Sequence, residues 1–358
     1  MTGIPDSRFC SVCARQAGLD PGGSGGGTFD TILAVELPLP WPATLYGDAT
    51  RMPPEILAIM DHIRAEYQRT KELRILPQMI APDPQYSVPG YRRVICWQQP
   101  KVPFARFDSS EYLVPEDQIG PLSYALALAP ERLGEFASFQ QPLSDVRDLL
   151  VCTHGTVDAA CSKFGYPTYK QLRRIAGESG GKLRVWRTTH FGGHVFAPTL
   201  MDMPHGSYWA YIEADEAELL AHQSGEPARL HGHYRGWAGL PAPLLQVLER
   251  ELFVRHGWAW RDYMKTGQIL REDQAPNDAG KPAWAEVRLD YAAPDGAVSG
   301  AYVARIELCR RIETPHTSGE AAVYAYPQYS VASLEQIADG MQEQQEVGRS
   351  ISAVGSAL

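Results

Sequence analysis

Two cysteines and two histidines have the residue types and spacings of ligands for a metal centre. Cys152 and Cys161 are nine positions apart and bracket a polar loop, and His190 and His194 are four apart in the segment HFGGH. Two thiolates with two imidazoles suit either a zinc ion or a [2Fe–2S] cluster. In a cluster, neutral imidazoles in place of two anionic thiolates lower the negative charge and raise the reduction potential.

The elements predicted around these residues bring the two pairs together. Their order is strand, helix, strand, then strand, strand, helix, which predicts a thioredoxin-like fold for residues 148–222. Each ligand pair follows the end of a strand, and in a parallel arrangement such loops gather at one edge of the sheet. The predicted strands are 148–152, 183–188, 200–203 and 208–213, and the predicted helices are 167–178 and 214–222.

The rest of the chain predicts further α/β structure on both sides of this unit. We expect an α/β N-terminal domain over residues 1–145, the thioredoxin-like domain over 146–225, a smaller α+β region over 226–340 and a flexible tail over 341–358. We detect no internal repeat in the sequence. Outside the central unit, the clearest predicted elements are helices at 54–70 and 243–256 and strands at 31–37, 73–76, 92–97, 284–291 and 301–308.

The composition is that of a globular protein, and its charge and hydropathy argue against nucleic-acid binding and membrane insertion. The chain has 358 residues, is 44% apolar and 21% charged, and carries a net charge of −9, which argues against a general nucleic-acid binder. No apolar run reaches the ~18 residues of a membrane span, and residues 1–11 lack the pattern of a secretory signal. Six cysteines are too few for a disulfide framework in this chain. We therefore expect a cytoplasmic protein whose spaced cysteines bind metal or do redox chemistry.

Other cysteines and one histidine are weaker candidates for the centre. His154, in the segment CTH, competes as a ligand, although we expect it to support the loop. Cys10 and Cys13 form a Cys-x-x-Cys pair near an N-terminus predicted to be unstructured, with no partner pair elsewhere. Cys96 and Cys309 lie in strand-like runs, where a cysteine is usually a small buried apolar residue.

For five further polar residues we expect a structural or solvated role, not a role in the centre. His231 and His233 alternate as on one face of a strand, and we expect them to be structural. Lys163, Arg187 and Arg235 are candidates to donate hydrogen bonds near the centre or to dock an acidic partner. An arginine or lysine is more often simply solvated, and we expect that here.

Several stretches of the sequence resemble the sucrase/ferredoxin-like family over about residues 30–260. They are VCTHG at 151–155, Asp158 with Cys161, GYPTY at 165–169, VW at 185–186, HFGGH at 190–194, FAPT at 196–199, HGHYRG at 231–236 and, more weakly, ELPLPW at 36–41.

The resemblance implies a thioredoxin-like [2Fe–2S] ferredoxin domain of the bis-histidinyl type, in which His-x-x-x-His stands where ordinary members have Cys-x-x-x-Cys. Carried over residue by residue, the cluster ligands are Cys152, Cys161, His190 and His194. The family has a cysteine pair after the aspartate, which is Ala160-Cys161 here, so Cys161 is taken as the ligand. The sucrase part of the family name finds no support, because no carboxylate pair has the setting that glycoside hydrolysis requires.

Three functions follow from these residues. The first is electron transfer through a [2Fe–2S] cluster, with an unknown redox partner protein and no role for nucleic acid or membrane. The second is a structural zinc site made by the same four residues. The third is a thiol–disulfide oxidoreductase, although the Cys-x-x-Cys that a thioredoxin-like fold normally carries at its helix start is missing.

Overall fold

The structure is a computed structural model that describes residues 8–27, 29–142, 145–274 and 281–338. It is a mixed α/β protein with a nine-stranded mixed sheet and a separate four-stranded antiparallel sheet. The helices are α1 Cys10–Gln16, α2 Pro54–Thr70, α3 Ile119–Leu128, α4 Ala159–Ala176, α5 Ala214–His222 and α6 Pro243–His256. The predicted tail 341–358 lies outside the described residues.

The strands fall into two sets along the chain. The nine strands of the large sheet are β1 Thr31–Glu36, β2 Ile75–Ile80, β3 Tyr91–Gln98, β4 Asp108–Pro115, β5 Arg147–Cys152, β6 Leu183–Thr188, β7 Leu200–Met203, β8 Ser207–Trp209 and β9 Tyr234–Trp237. The four strands of the small sheet are β10 Met264–Glu272, β11 Trp284–Ala292, β12 Ser299–Pro315 and β13 Val323–Ala338.

The first half of the large sheet, residues 31–128, consists of β1 to β4 with α2 and α3. β1 pairs in parallel with β2 and antiparallel with β3, and β3 pairs antiparallel with β4. All six residues of β1 are buried, as expected for an apolar run in the middle of a covered sheet. α2 begins at Pro54, because a proline fits the first turn of a helix without losing a hydrogen bond.

The second half, residues 147–222, repeats this arrangement with β5 to β8, α4 and α5. β5 pairs in parallel with β6 and antiparallel with β7, and β7 pairs antiparallel with β8. The two halves therefore share one order of elements and one pairing pattern. They join where the last residues of β2 and β6 pair antiparallel, Ile80 with Thr188, and β9 extends the sheet beyond β8.

One large apolar cluster connects both halves to the C-terminal part of the chain. It includes Ile32 of the first half, Leu150 of the second, Leu248 of α6 and Val287 of the small sheet, all at most 1% exposed. Among the residues that the structure describes, no helix has the length and apolar character to cross a membrane.

The long β12–β13 hairpin reaches back to the N-terminal segment. The backbone N–H of Cys10, at the start of α1, donates to Ser318 Oγ at 3.1 Å, and Gly319 N–H donates to Arg8 O at 2.9 Å. The N-terminal segment predicted to be unstructured is therefore a helix held by a hairpin that lies about 300 positions further along the chain.

Two predicted elements of the central unit differ from the structure. The helix predicted from residue 167 begins eight residues earlier, at Ala159, and contains Pro167 in its interior. The strand predicted over 208–213 is the short β8, Ser207–Trp209. Six further elements were not predicted, namely α1, α3, β4, β9, β10 and β13.

Candidate metal centre

Cys152 and Cys161 are brought together by a strand end and a helix start. Cys152 is the last residue of β5, and Cys161 lies in the first turn of α4. The helix begins early because the Asp158 carboxylate caps it, accepting from Ala160 N–H at 2.8 Å. Gly165 lets α4 pack against the strand end, since a Cβ there would overlap the carbonyl oxygen of Cys152.

His190 lies against both thiols. Its Nδ1 is 3.9 Å from Cys152 Sγ and 3.7 Å from Cys161 Sγ. The sulfur atoms and this imidazole nitrogen form one group within 4.8 Å, and both cysteines are only 1% exposed. Three of the four predicted ligands thus meet at one end of β5 and β6.

The two thiols differ in pKa, and the proton between them stays on Cys161. Burial disfavours a thiolate at Cys152, but hydrogen bonds from Cys161 and His190 outweigh it and hold the pKa of Cys152 well below its usual range. The same hydrogen bond with Cys152, together with burial, holds the pKa of Cys161 well above its usual range. The pair therefore presents one thiolate at neutral pH, and a thiolate is the form that binds metal.

His194 lies next to this group but contacts different side chains. Its Nδ1 is 3.5 Å from Cys10 Sγ and 3.5 Å from an Asp158 carboxylate oxygen, and these three residues form a second group within 4.8 Å. The His190 and His194 rings have centroids 5.3 Å apart, so the two groups adjoin. Burial lowers the pKa of His194 to about 4, which keeps the imidazole neutral, as a metal ligand must be.

Cys10 lies beside the centre, contrary to the prediction of an unstructured N-terminus. It is fully buried, and its thiol contacts Asp158 Oδ1 at 3.7 Å as well as His194. Burial raises the pKa of Cys10 to about 12, so its sulfur stays protonated. The signal was the Cys-x-x-Cys motif itself, but nothing in the sequence shows that the β12–β13 hairpin fixes α1 beside the centre.

His154 supports the centre from behind. Its Nδ1 accepts from the backbone N–H of His190 at 3.3 Å, and its Nε2 lies 3.2 Å from the Pro42 carbonyl oxygen. Both ring nitrogens are thus engaged by backbone groups. His154 positions His190, in agreement with the expected supporting role.

Arg235 also differs from its expected solvated state. Its side chain is buried, donates to Gly192 O at 3.2 Å and to Ser24 Oγ at 3.2 Å, and covers the ring of Phe196 with a 5.5 Å separation. Gly193 has φ of +81°, and a Cβ there would lie 2.5 Å from Arg235 Nη2. Both the backbone conformation and the close approach of Arg235 therefore favour glycine in HFGGH.

The remaining candidates lie away from the two groups or contact other residues. His231 and His233 belong to a 3₁₀ helix, not the expected strand; His231 pairs with Glu251 at 2.6 Å and His233 with Ala210 O at 3.1 Å. Arg187 contacts Thr153 Oγ1 at 3.3 Å, and Lys163 lies over the Phe9 ring at 5.8 Å.

The two cysteines expected to be buried differ from each other. Cys96, in β3 of the first half, is fully buried as expected. Cys309 is exposed, because β12 extends beyond the core at that point, and this expectation was wrong.

The fold and the site together define an α/β protein with a cysteine–histidine centre at the ends of two parallel strands. Residues 27–236 match the family model described as sucrase/ferredoxin-like. The match spans more than half of the chain, so the chain belongs to the sucrase/ferredoxin-like family. Neither a curated protein nor a solved structure gives a significant match.

The donor set fits a metal group of either kind considered above. Two buried sulfurs, one of them favoured as a thiolate, meet an imidazole nitrogen, and zinc and iron–sulfur centres both use such donors. Donor atoms on one tetrahedral zinc lie roughly 3.6 Å apart, given Zn–S bonds of about 2.3 Å and Zn–N bonds of about 2.0 Å. The separations of His190 Nδ1 from the two sulfurs, 3.7 and 3.9 Å, are close to that value.

Proposed function

We propose that the chain is a cytoplasmic electron-transfer protein in which Cys152, Cys161, His190 and His194 hold a [2Fe–2S] cluster. The observation that carries the proposal is the meeting of two buried thiols with neighbouring imidazoles at the ends of β5 and β6. The order and pairing of β5 to β8 with α4 and α5 support a thioredoxin-like unit as the scaffold. The family membership supports the same reading.

When bound, a cluster of this kind would accept and return one electron. Different residues of the chain would bind the cluster and orient its ligands. Cys152 and Cys161 supply anionic sulfur from a dry environment, and His154 fixes the orientation of His190 through its backbone N–H. His190 is half-buried and the His194 side chain is 12% exposed, so the histidine side is the more accessible side for a redox partner protein.

A structural zinc site is the second candidate, favoured by one specific observation. The Nδ1 of His190 lies at nearly equal distances from both sulfurs, close to the spacing of ligands on a single metal ion. A lone zinc ion would use Cys152, Cys161 and His190 directly, and His194 would need to move away from Cys10 and Asp158 to complete the set.

The deciding experiment is metal analysis of the full chain purified without oxygen. The electron-transfer proposal expects a red-brown protein with two irons and two acid-labile sulfides per chain, and a paramagnetic resonance signal after reduction. A colourless protein with one zinc per chain supports the second candidate and overturns the first.

Ligand identity is tested by replacing histidine with cysteine. We expect His194→Cys to keep the cluster and to lower its midpoint potential by on the order of 100 mV, because a thiolate adds negative charge. His222→Cys, on exposed α5 of the same half, is the matched control and should leave the potential unchanged. An unchanged potential in His194→Cys would remove His194 from the ligand set.

A further inference from the structure

Arg235 differs from the other buried arginines in having no carboxylate partner. Four arginines are less than 9% exposed among the described residues. Three of them form ion pairs, Arg93 with Glu111, Arg250 with Asp20 and Arg261 with Asp202. Within the described part of the chain, no acidic side chain pairs with Arg235.

The groups that surround the Arg235 guanidinium are neutral. It donates to the Gly192 carbonyl and the Ser24 hydroxyl, and it lies over the rings of Phe196 at 5.5 Å and Tyr208 at 5.7 Å. A guanidinium removed from water at such a place costs free energy unless an anion compensates it. An arginine kept there indicates that an anion belongs nearby.

The thiol–imidazole site is where that anion arises. Arg235 holds the Gly192–Gly193 segment, which separates His190 from His194. The guanidinium is therefore a buried cation in direct contact with the loop that carries both candidate imidazoles.

We infer that Arg235 is the buried counter-charge of the proposed centre and stabilises its reduced state. The inference rests on the proposed [2Fe–2S] function. With two thiolates and two neutral imidazoles as ligands, such a centre is neutral when oxidised and carries a net negative charge after one electron is added. An unpaired positive charge beside it favours the reduced form and raises the midpoint potential.

The test is a redox titration of the full-length protein with its native metal content. Arg235→Gln and Arg235→Met should both retain the cluster and shift the ratio of reduced to oxidised protein at least tenfold toward the oxidised form. For one electron this is a fall of about 59 mV or more in midpoint potential. Arg235→Lys keeps the charge and should change the ratio less than threefold.

Arg229→Gln is the matched control. Arg229 lies exposed on the 3₁₀ helix Pro227–His233, just before β9, so this change also removes one positive charge. It should alter the ratio less than twofold, and raising the salt concentration should abolish even that effect because exposed charges are screened. The Arg235 effect should persist in high salt.

The outcomes separate this inference from the proposed function. A wild-type protein without iron and sulfide overturns both. A cluster of normal spectrum with an unchanged potential in Arg235→Gln and Arg235→Met overturns the role of Arg235 alone. Loss of the cluster in those variants and in Arg235→Lys also overturns it, because a purely structural role would produce that result.

Discussion

The two halves of the large sheet share a scaffold but not a chemistry. In both, a strand, a helix and a parallel strand are followed by two antiparallel strands and a helix. After its first strand, the first half has the proline-rich segment 37–42, whereas the second half has Cys152 and the capped start of α4. After its second strand, the first half has a loop with Asp83, and the second half has HFGGH. The scaffold sets where loops meet, and the residues placed there decide the function.

The half without the candidate ligands supports the half that has them. The Trp41 carbonyl accepts from Thr156 Oγ1 at 2.8 Å, and the Pro42 carbonyl lies 3.2 Å from His154 Nε2. Tyr46 and Thr189 hydroxyls are 2.7 Å apart across the junction. The first half therefore holds in place the loops beside Cys152 and His190.

The largest expected difference between the two halves comes from replacing their buried cysteines. Cys152→Ser and Cys161→Ser should each abolish stable cluster binding, because a neutral hydroxyl replaces a thiolate ligand. Cys96→Ser, at the equally buried cysteine of the first half, should leave iron and sulfide content unchanged. Metal analysis and the visible spectrum check this. Normal metal content with lost disulfide reductase activity in the two site variants would favour the thiol oxidoreductase alternative.

The next effect concerns the junction between the halves. Asp83 of the first half accepts from Arg173 of α4 at 2.8 and 2.9 Å and from the Tyr169 hydroxyl at 3.0 Å. Asp83→Ala should lower the free energy of unfolding by about 2–3 kcal/mol, because the part-buried Arg173 and the Tyr169 hydroxyl lose their charged acceptor. Urea unfolding measures this change.

The exposed pair between Arg174 and Glu218, within the second half, provides the control. Glu218→Ala should cost less than about 0.5 kcal/mol, since both side chains are well solvated. Equal losses in Asp83→Ala and Glu218→Ala would mean that the junction contributes nothing particular to stability.

The sequence predicted the helices and strands whose bounds depend on local residue patterns. The helices Pro54–Thr70 and Pro243–His256 have the predicted bounds, because each starts with a proline that fits a first turn. β6 and β7 also have the predicted bounds, and Cys152 and His190 lie at or just after strand ends. Local rules are sufficient where apolar periodicity and an end signal agree.

The parts that the sequence did not predict depend on tertiary contacts. Pro167 predicts a helix start, whereas the Asp158 cap allows α4 to begin two turns earlier. The likeness of the two halves exists in strand pairing and not in matching residues, so no repeat was detectable. Cys10 and Arg235 are buried by segments far away in sequence, the β12–β13 hairpin and the Ser24 loop.

The turn between β7 and β8 should make the free energy of unfolding depend on pH, unlike the equivalent β3–β4 connection of the first half. His205 lies in that turn with its side chain 13% exposed, and burial lowers its pKa to about 4. Below pH ~6.5 the unfolded chain takes up a proton at this histidine while the native state does not, so stability falls as the pH drops from ~6.5 to 4. This loss amounts to at most about 3 kcal/mol at pH 4.

His205→Gln should remove that pH-dependent loss. The difference in unfolding free energy between pH 7 and pH 4.5 should be smaller in this variant than in the wild type, as measured by urea titration at both pH values. His62→Gln, at the exposed histidine of the first half, should behave as the wild type does. An identical pH dependence in His205→Gln and the wild type would mean that His205 titrates normally in the native state.

The smallest expected effect tests whether the second half alone supplies the ligands. Cys10 belongs to α1, outside both halves and outside the matched residues 27–236, yet its sulfur is 3.5 Å from His194 Nδ1. We expect Cys10→Ala to keep full cluster content and to cost about 1 kcal/mol of stability, because a protonated, buried thiol acts as a small apolar residue. Cys13→Ala, on the same helix but partly exposed, is the control. If Cys10→Ala loses half or more of its iron while Cys13→Ala does not, the fourth ligand comes from α1, and the centre is shared between the second half and the N-terminal helix.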